Sequence, residues 1–415
     1  MITPPDELRL LDGPPLDGAA ESFAAHGARL GALPHGAATR HLVADLEASG
    51  LLGRGGAGFP VGRKWRALAS HQGGRPVIVA NGAEGEPASA KDRVLMEKRP
   101  HLVLDGAVLA AECLGSAEIF IYVGREHEAA VASMGRVIAE RADTIRPDVR
   151  LVEAPIGYVA GEATAVVHYV NSRDARPTTG PRMSEKGVDG RPTLVQNVES
   201  LAYTALIARF GPEWYRSVGR LESKGTSLVT LSGPVRDPGV REIDLGTPLG
   251  EVVADAGGVT ADVGAVLLGG YFGTWARATD AWRVALDPAV MKRQGLAFGC
   301  GIIGMLPAAS CGVAVTADII TFLAAGSARQ CGPCLYGLAA IAEATARIAG
   351  GKAQKQDLED VRRWVGIVGG RGACRHPDGA VQMMASALDV FAEDFRSHQA
   401  HKRCLATGAK AGAGR

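Results

Sequence analysis

Residues 77–81 read VIVAN and residues 118–123 read EIFIYV, and these two short apolar runs decide the fold class. Such runs, rich in Val and Ile, are typical of strands buried on both faces of a parallel sheet. Segments 101–115 and 125–143 have the length and apolar spacing of helices, and RLVEAPIG (150–157) predicts a further strand. This βαβ order indicates an open α/β sheet, which binds ligands at the carboxyl ends of its strands.

The regions outside this sheet differ in composition. Residues 1–45, rich in Pro, Gly and Ala, predict an N-terminal extension over the surface, and the α/β domain follows at 46–225. Residues 226–300 contain β-type segments separated by Gly and Pro turns, which predicts a small α+β module. Residues 301–398 contain amphipathic segments with short joins, typical of a four-helix bundle, and 399–415 predict a flexible tail.

Composition narrows the function classes. The chain has 415 residues and a formal charge of +1, from 45 basic and 44 acidic residues. This balance does not indicate a nucleic-acid partner or an anionic membrane. The N-terminus lacks the features of a signal peptide, and no apolar stretch reaches the roughly 20 residues that span a bilayer. We therefore expect a cytoplasmic protein without direct membrane insertion.

A cysteine pair, Cys331 and Cys334 in SARQCGPC, has a spacing shared by redox disulfides, zinc sites and iron–sulfur ligand sets. A thioredoxin-like pair ends a strand in a βαβ unit, whereas this pair enters the predicted bundle. Zinc usually has four Cys or His ligands in two close pairs, and only Cys374, with His376 nearby, joins convincingly. Thiolates converging from separate segments favour an iron–sulfur cluster.

A glycine-rich loop lies in LLGRGGAGFPVGRKW (51–65). It does not have the Walker pattern, but dense glycines let backbone N–H groups form an anion-binding nest, to which Arg54 and Lys64 add charge. A flexible surface loop is the alternative. The apolar side chains of Phe59 and Trp65 favour a cradle for a phosphate or a flavin.

The loop resembles the flavin loop of the NADH-binding flavoprotein subunit of respiratory complex I, a subunit type shared with NAD-reducing hydrogenases and formate dehydrogenases. NGAEGEPASAKDR (81–93), GYVAGEATAVV (157–167) and GRPTLVQNVESLA (190–202) resemble further segments of that family in the same order. CGPC and the later Cys374 fall where the family binds a [4Fe–4S] cluster. The resemblance covers roughly residues 45–390. It implies a Rossmann-like FMN domain, a β-grasp module of the SLBB (soluble-ligand-binding β-grasp) type and a four-helix bundle.

The resemblance implies FMN as a cofactor, with Lys64 and the glycine loop at its phosphate and ring. The implied cofactor-binding residues are Gly53, Arg54, Gly55, Gly56, Ala57, Gly58, Phe59, Lys64, Asn81, Glu84, Tyr158, Gly161, Glu162, Gln196, Asn197 and Ser200. Glu84 and Glu86 are implied as catalytic residues. Since Glu84 lies in a Gly/Pro loop after a strand, we do not expect it to be a helix cap.

The nucleotide site departs from the family pattern. The changed positions, where the family has acidic, aromatic, basic or amide residues, are Ala67, Ala83, Ala163, Thr179, Arg182 and Gln196. In one interpretation, Ala163 removes repulsion and Arg182 supplies a partner for a 2′-phosphate, which favours NADPH over NADH. In the other, lost aromatic stacking leaves a weak or vestigial nucleotide site.

The cluster also departs from the family. Cys331, Cys334 and Cys374 match three of four ligands, while Ala328 stands where the family pattern S-C-G-x-C-x-P-C has its first Cys. Cys311 is the best substitute, and Cys300 or His376 are poorer ones. A three-cysteine site with a [3Fe–4S] cluster, or loss of the cluster, are the alternatives. We interpret Cys113 as a core residue and Cys404 as a free thiol of the tail.

The resemblance implies an FMN-dependent oxidoreductase that oxidises NADH or NADPH. Single electrons would then leave through the cluster to a ferredoxin-like protein partner. The alternative is an electron-transfer subunit with a non-functional nucleotide site, which exchanges electrons only between protein partners.

Overall fold

The computed structural model describes residues 9–71, 73–408 and 411. The chain forms two compact units. The first comprises Met1–Val229 with Val240–Gly246, and the second comprises Thr230–Gly239 with Thr247–Arg415. Within the described residues, no helix is both long enough and apolar enough to cross a membrane.

The first unit is an α/β domain. Its strands are β1 (Val77–Gly82), β2 (Glu118–Gly124), β3 (Asp148–Ala154) and β4 (Thr193–Asn197). Its helices are α1 (Phe23–Leu30), α2 (Leu42–Ser49), α3 (Val61–Ala69), α4 (Lys91–Lys98), α5 (Pro100–Leu114), α6 (Glu128–Glu140), α7 (Ala163–Ser172) and α8 (Val198–Arg216).

The four strands form a parallel sheet in the order β3-β2-β1-β4. The chain proceeds from β1 to one side through β2 and β3, and β4 then adds to the other side of β1. In register, Asn81 at the end of β1 lies beside Asn197 at the end of β4. The point between β1 and β4 is therefore a topological switch point, where open α/β sheets bind ligands. The parallel sheet predicted from the apolar runs is confirmed.

Helices α5 and α8 pack closely beneath this sheet because Gly106 has no side chain. A Cβ atom at Gly106 would lie 2.0 Å from the Leu201 carbonyl oxygen. The N-terminal residues join the same core, since Leu10 and Leu30 are buried there. The predicted N-terminal extension therefore also contributes buried leucines to this core, although these leucines form no periodic pattern in the sequence.

A buried ion network surrounds Asp105 in the middle of α5. Its carboxylate accepts hydrogen bonds from His26 of α1 at 2.8 Å and from Arg141 and Arg209 at 2.5 Å each. Asp105 is 1% exposed. One carboxylate therefore joins α1, α5, α8 and the end of α6.

A second buried carboxylate, Glu242, belongs to the late segment Val240–Gly246 of the first unit. It accepts backbone N–H groups of Arg9, Leu10 and Leu11 at 2.9, 2.8 and 3.0 Å. Glu242 therefore satisfies three consecutive backbone N–H groups near the N-terminus, inside the core.

A small mixed sheet follows along the chain in the order β6-β5-β9-β7-β8. The elements of this region are β5 (Thr226–Ser232), β6 (Gly239–Asp244), α9 (Leu249–Asp255), β7 (Val263–Leu268), β8 (Thr274–Arg277), α10 (Ala278–Ala281), α11 (Pro288–Arg293) and β9 (Ile302–Pro307). Residues 226–229 of β5 and 240–244 of β6 belong to the first unit, and the other strands belong to the second. Strand β9 runs parallel to β5 and antiparallel to β7. The α+β module expected from the Gly/Pro-separated segments is confirmed.

The rest of the second unit is helical. It contains α12 (Gly312–Ala325), a π-helical turn (Pro333–Leu338), α13 (Ala339–Ala349), α14 (Asp357–Val368), α15 (His376–Val390) and α16 (Ala392–His401). Short joins make successive helices antiparallel, so the bundle has two ends. We call the end with residues 327–334 and 369–376 the cluster end, and the end with Cys311, Ile348 and His398 the far end. With 14 residues, α12 separates them by about 21 Å.

The predicted tail, 399–415, begins inside α16, and Cys404 after this helix is buried. Ser397 donates a hydrogen bond to the Arg403 carbonyl at 2.8 Å, and the Leu405 N–H donates to Asp394 at 2.9 Å. The stretch 402–405 therefore folds back on α16 instead of extending from it. Residues 409, 410 and 412–415 lie outside the described residues.

Candidate functional site

The glycine loop lies against the carboxyl ends of β1 and β4. The Arg54 backbone N–H donates to the Ser200 hydroxyl at 2.9 Å, and a Cβ atom on Gly55 would lie 3.5 Å from Asn197 Cβ. Asn81 ends the neighbouring strand. The structure thus brings together the glycine loop, Asn81, Asn197 and Ser200 at the switch point of the sheet.

The loop is closed by its own backbone. The Gly53 N–H donates to the Phe59 carbonyl at 2.9 Å, and Gly56 and Gly58 have φ values of +94° and +62° that a side chain would strain. Helix α3 follows directly, and no side chain among the described residues caps its N-terminus. The Val61 N–H already donates to the Leu51 carbonyl at 2.9 Å, so it is the positive end of the helix dipole that is suited to an anion.

Arg54 supports the loop from the protein interior. Its guanidinium donates to the Tyr215 hydroxyl at 3.1 Å and to the Thr226 carbonyl at 2.9 Å, and it lies 3.5 Å from Glu199. The sequence suggested that the Arg54 side chain adds positive charge to the open side of the loop. It does not, because the residue is only 4% exposed. Only its backbone lines the candidate site.

Lys64, on α3, is a cation without an anionic partner in the described part of the chain. Its ammonium donates to the Val195 carbonyl of β4, and burial lowers the pKa of the lysine to about 8. The adjacent Gln196 is buried, and its side-chain oxygen has no hydrogen-bond partner among the described residues. A dianionic phosphate at this point would supply the charge that Lys64 lacks.

Two of the predicted carboxylates cap helices. Glu84 accepts the N–H groups of Asp92 and Arg93, each at 3.2 Å, in the first turn of α4. Glu162 accepts the N–H group of Thr164 at 2.9 Å at the start of α7. The expectation that Glu84 is not a cap is wrong. Because both carboxylates accept helix N–H groups, they fix the loops that precede α4 and α7 to the starts of these helices.

Glu86 and Tyr158 connect the acidic loop to the segment before α7. The Tyr158 hydroxyl donates to the Glu86 carboxylate at 2.9 Å. The Asn81 side chain donates to the Gly161 carbonyl at 2.9 Å, and a Cβ atom on Gly85 would lie 2.8 Å from the Gly157 carbonyl oxygen. The two segments therefore approach closely enough that glycine is required at their contact.

Three buried charges at this edge were not predicted from the sequence, namely Lys91, Asp92 and Glu199. The Lys91 ammonium lies 2.7 Å from Asp92 and 2.9 Å from Glu199, and Asn197 donates to the other Asp92 oxygen at 2.7 Å. Burial, together with Glu84 and Glu199 and against the effect of Lys91, raises the pKa of Asp92 to about 7. The sequence did offer a signal for them. Lys91 and Asp92 lie in the segment 81–93, Glu199 lies in 190–202, and both segments include or follow an apolar strand.

Two of the changed nucleotide positions, Ala163 and Thr179, lie close together at the start of α7. Ala163 is the first residue of this helix, and the Thr164 hydroxyl accepts the Thr178 N–H at 3.0 Å. This bond holds Thr178 at the start of α7, and Arg182, four residues further along the chain, is exposed. Phe59, at the tip of the glycine loop, is 53% exposed. An exposed aromatic and an exposed guanidinium are therefore available to a ligand that lies outside the flavin position.

The three family-matching cysteines gather at the cluster end of the bundle. Cys334 is buried, and its burial, followed by the adjacent thiols of Cys331 and Cys374, raises its pKa to about 12. The Ser327 hydroxyl also contacts the Cys334 sulfur. The π-helical turn follows the pair immediately, and such turns are frequent at functional sites. Three thiols from two separate segments fit the ligand pattern of an iron–sulfur cluster.

Ala328 and Arg329 precede the pair, where the family pattern has Cys and Gly. Arg329 has a φ of +54°, a left-handed backbone that costs a non-glycine residue about 1 kcal/mol or more. The backbone thus keeps the conformation that glycine favours although the glycine is replaced. Ala328 is half-buried and provides no ligand atom.

Cys311 does not join this group, which corrects its prediction as the substitute ligand. It caps the N-terminus of α12, whereas Cys331 and Cys334 follow the C-terminus of the same helix, about 21 Å away. Its sulfur lies 3.4 Å from His398 instead. His376 is at the cluster end, but its Nε2 contacts the Leu323 carbonyl at 2.7 Å.

Comparison with protein-family profiles gives three matches along the chain. The Nuo51 FMN-binding domain matches residues 46–205, the SLBB domain matches 228–271, and the NADH-ubiquinone oxidoreductase-F iron–sulfur binding region matches 314–398. The last range contains Cys331, Cys334 and Cys374. The order of the matches agrees with the order of the domains along the chain.

Individual relatives agree with these profiles. The F 2 subunit of the NADH-quinone oxidoreductase of Rhizobium meliloti (strain 1021) is 30% identical over 378 residues, covering 88% of this chain and 90% of the relative. The HndC subunit of the NADP-reducing hydrogenase of Solidesulfovibrio fructosivorans is 28% identical over 380 residues, covering 88% and 77%. A chain of an NAD⁺-reducing [NiFe]-hydrogenase in its H₂-reduced state superposes with a TM-score of 0.81 at 28% identity. That match covers 88% of this chain but 63% of the hydrogenase chain, less than two thirds of its length.

Proposed function

This chain belongs to the family of F-type NADH-quinone oxidoreductase subunits and their hydrogenase relatives, and on that premise we propose that it is an FMN-dependent NAD(P)H oxidoreductase. It passes single electrons through an iron–sulfur cluster to a ferredoxin-like protein in the cytoplasm. Bound FMN supplies the change from two-electron to one-electron chemistry. A reducing compartment is consistent with cysteines that are all free thiols.

The flavin assignment rests on one observation. The buried Lys64 ammonium has no anionic partner among the described residues, and it lies in the first turns of α3, whose N-terminus no side chain caps. Both features present positive charge to the same glycine loop, and both suit a phosphate monoester. The ring would then lie toward Asn81 and Glu86, at the carboxyl end of β1. The acidic loop is held there by its contacts with Tyr158 and Gly161.

Replacing Lys64 by glutamine is expected to weaken FMN binding about 10- to 150-fold at pH 7. This range corresponds to the roughly 1.5–3 kcal/mol of a hydrogen bond to a charged group. In the wild-type protein, FMN affinity should fall as the pH rises above about 8, because the free Lys64 loses its proton there. Quenching of flavin fluorescence during titration measures both effects.

The matched control is Lys98→Gln, since this ammonium contacts the Gly18 carbonyl on another part of the unit. It should leave FMN affinity and its pH dependence unchanged. If the Lys64→Gln protein keeps the same decline above pH 8, a different group titrates and the phosphate assignment to Lys64 is wrong.

We propose NADPH as the preferred hydride donor, supported by the exposed Arg182 and by Ala163 in place of an acidic residue. Glu86 and Phe59 would bind the nicotinamide half at the glycine loop. NADPH should bleach the anaerobic oxidised protein faster than NADH, as followed by flavin absorbance. Arg182→Gln should lower that preference about tenfold, since it removes one charge-assisted contact to phosphate.

Arg150→Gln provides the control, because Arg150 is also exposed but pairs with Asp148 on β3. Its nucleotide preference should equal that of the wild type. Failure of both nucleotides to bleach the flavin would contradict the proposal and support an electron-transfer subunit without a functional nucleotide site.

We assign Cys331, Cys334 and Cys374 as the cluster ligands. With Ala328 in place of a fourth cysteine, the proposed centre is a [3Fe–4S] cluster, or a [4Fe–4S] cluster with one iron not bound by cysteine. A [3Fe–4S] centre is paramagnetic when oxidised, whereas an oxidised [4Fe–4S] centre gives no signal. Low-temperature EPR of the oxidised protein distinguishes the two forms.

A further inference from the structure

We propose that Cys311, His398 and Cys404 form a second metal site, which binds a thiophilic divalent cation of the zinc type at the far end of the bundle. The Cys311 sulfur lies 3.4 Å from His398 Nε2, and the ligand atoms of all three residues lie within 4.8 Å of one another. Tetrahedral zinc, with Zn–S bonds of about 2.3 Å and Zn–N bonds of about 2.0 Å, separates its ligand atoms by about 3.5–3.8 Å.

The donor atoms select the class of metal. Two sulfurs and one imidazole nitrogen suit zinc and similar soft or borderline ions, whereas calcium and magnesium need oxygen ligands. The site is a single-ion site because its three donors converge on one point. Three protein ligands leave the fourth tetrahedral position to solvent or to an additional ligand.

The imidazole is already oriented for coordination. His398 Nδ1 contacts the Ile348 carbonyl at 3.3 Å, so Nδ1 is the protonated nitrogen and Nε2 directs its lone pair toward Cys311. A metal-binding histidine almost always donates its other N–H to such an acceptor. His398 is 1% exposed, and this ring orientation is fixed inside the bundle.

The two sulfurs are also positioned by their surroundings. Cys311 is the N-cap of α12, and its sulfur accepts the Ala314 N–H at 3.4 Å, which fixes the position of the sulfur at the start of the helix. Cys404 is 4% exposed because the stretch 402–405 folds back on α16. The bond from the Leu405 N–H to Asp394 holds this return in place one turn before His398.

The site is independent of the cluster. It lies about one α12 length, about 21 Å, from Cys331 and Cys334. The region matched by the iron–sulfur family profile begins at residue 314 and ends at 398, so it contains neither Cys311 nor Cys404. Loss of the proposed flavin or cluster function would therefore not remove this site.

The test measures metal content of the reduced full-length protein after dialysis against zinc and then against a weak chelator. We expect one zinc per chain in the wild type, in Cys113→Ser and in Cys331→Ser. Cys404→Ser and His398→Gln should each lose zinc, with at least a tenfold weaker affinity, while their iron content stays unchanged. Cobalt(II) added to the zinc-free wild type should give sulfur-to-cobalt charge-transfer absorption, which does not depend on any variant folding.

Three results would overturn the proposal. The first is a reduced wild type that binds neither zinc nor cobalt after dialysis. The second is zinc loss from Cys331→Ser, which would place the ion on unloaded cluster ligands. The third is a disulfide between Cys311 and Cys404 in protein purified from the cytoplasm of the producing cells, detected by mass spectrometry under non-reducing conditions.

Discussion

The Cys334→Ala protein is expected to lose nearly all its iron and acid-labile sulfide while it keeps its flavin. Cys334 is the buried member of the cysteine group, and the thiols of Cys331 and Cys374 adjoin it. With Ala328 already unable to serve as a ligand, only two cysteines would remain, too few for a cubane-type cluster. Iron and sulfide per FMN measure the loss.

Cys113→Ala is the matched control, since Cys113 is also a free thiol and lies half-buried on α5, in the first unit. It should keep both cofactors. The reverse substitution, Ala328→Cys, should add a fourth ligand, so that any three-iron EPR signal of the oxidised wild type is lost. Normal iron content in Cys334→Ala would show that these three cysteines are not the ligand set.

The Asp105→Asn protein is expected to be destabilised by about 3–5 kcal/mol, because one partner of a buried charge network is removed. His26, Arg141 and Arg209 would each lose a charged acceptor in the core of the first unit. Urea unfolding followed by the fluorescence of the first unit's flavin, or by circular dichroism, measures the change in the free energy of unfolding.

Asp148→Asn is the control for this substitution. Asp148 also pairs with an arginine, at 2.6 Å from Arg150, but both side chains are more than half exposed. Surface pairs of this kind contribute about 0–1 kcal/mol, so the stability should change little. An equal loss of unfolding free energy in Asp105→Asn and Asp148→Asn would show that burial does not make the Asp105 network more stabilising than a surface ion pair.

The same network gives a pH dependence. Burial raises the pKa of Glu21, but hydrogen bonds from His26 and Arg29 outweigh this and lower it from 4.5 to about 2. Because the pKa of Glu21 is lower in the folded than in the unfolded protein, ionised Glu21 stabilises the folded state, and this stabilisation is complete above pH 4.5. It is lost as the pH falls toward 2. Asp105→Asn should flatten this acid transition.

The sheet was predictable from the sequence because its strands are short apolar runs bounded by turns. The same reasoning could not place Leu10 and Leu30, whose burial depends on distant partners in α5 and α8. The capping roles of Glu84 and Glu162 were also hidden. A carboxylate in a loop looks the same in sequence whether it contacts a ligand or the first N–H groups of a following helix.

The cysteines show a similar limit. Spacing and resemblance identified Cys331, Cys334 and Cys374 as a group, which the structure brings together. They also suggested Cys311, which is near these residues in sequence but stands at the other end of a 14-residue helix. Cys404, expected in a flexible tail, is buried because its chain turns back on α16.

Glu242 has a consequence for how the chain is made. The first unit is not finished when Val229 leaves the ribosome, because the carboxylate that binds the backbone of Arg9, Leu10 and Leu11 comes later in the chain. Since domains otherwise fold from the N-terminus during synthesis, this unit must wait with the N–H groups of Arg9, Leu10 and Leu11 unpaired. A fragment ending at Val229 would leave those N–H groups buried and unsatisfied, so the boundary between the units is not a place where the protein can be cut.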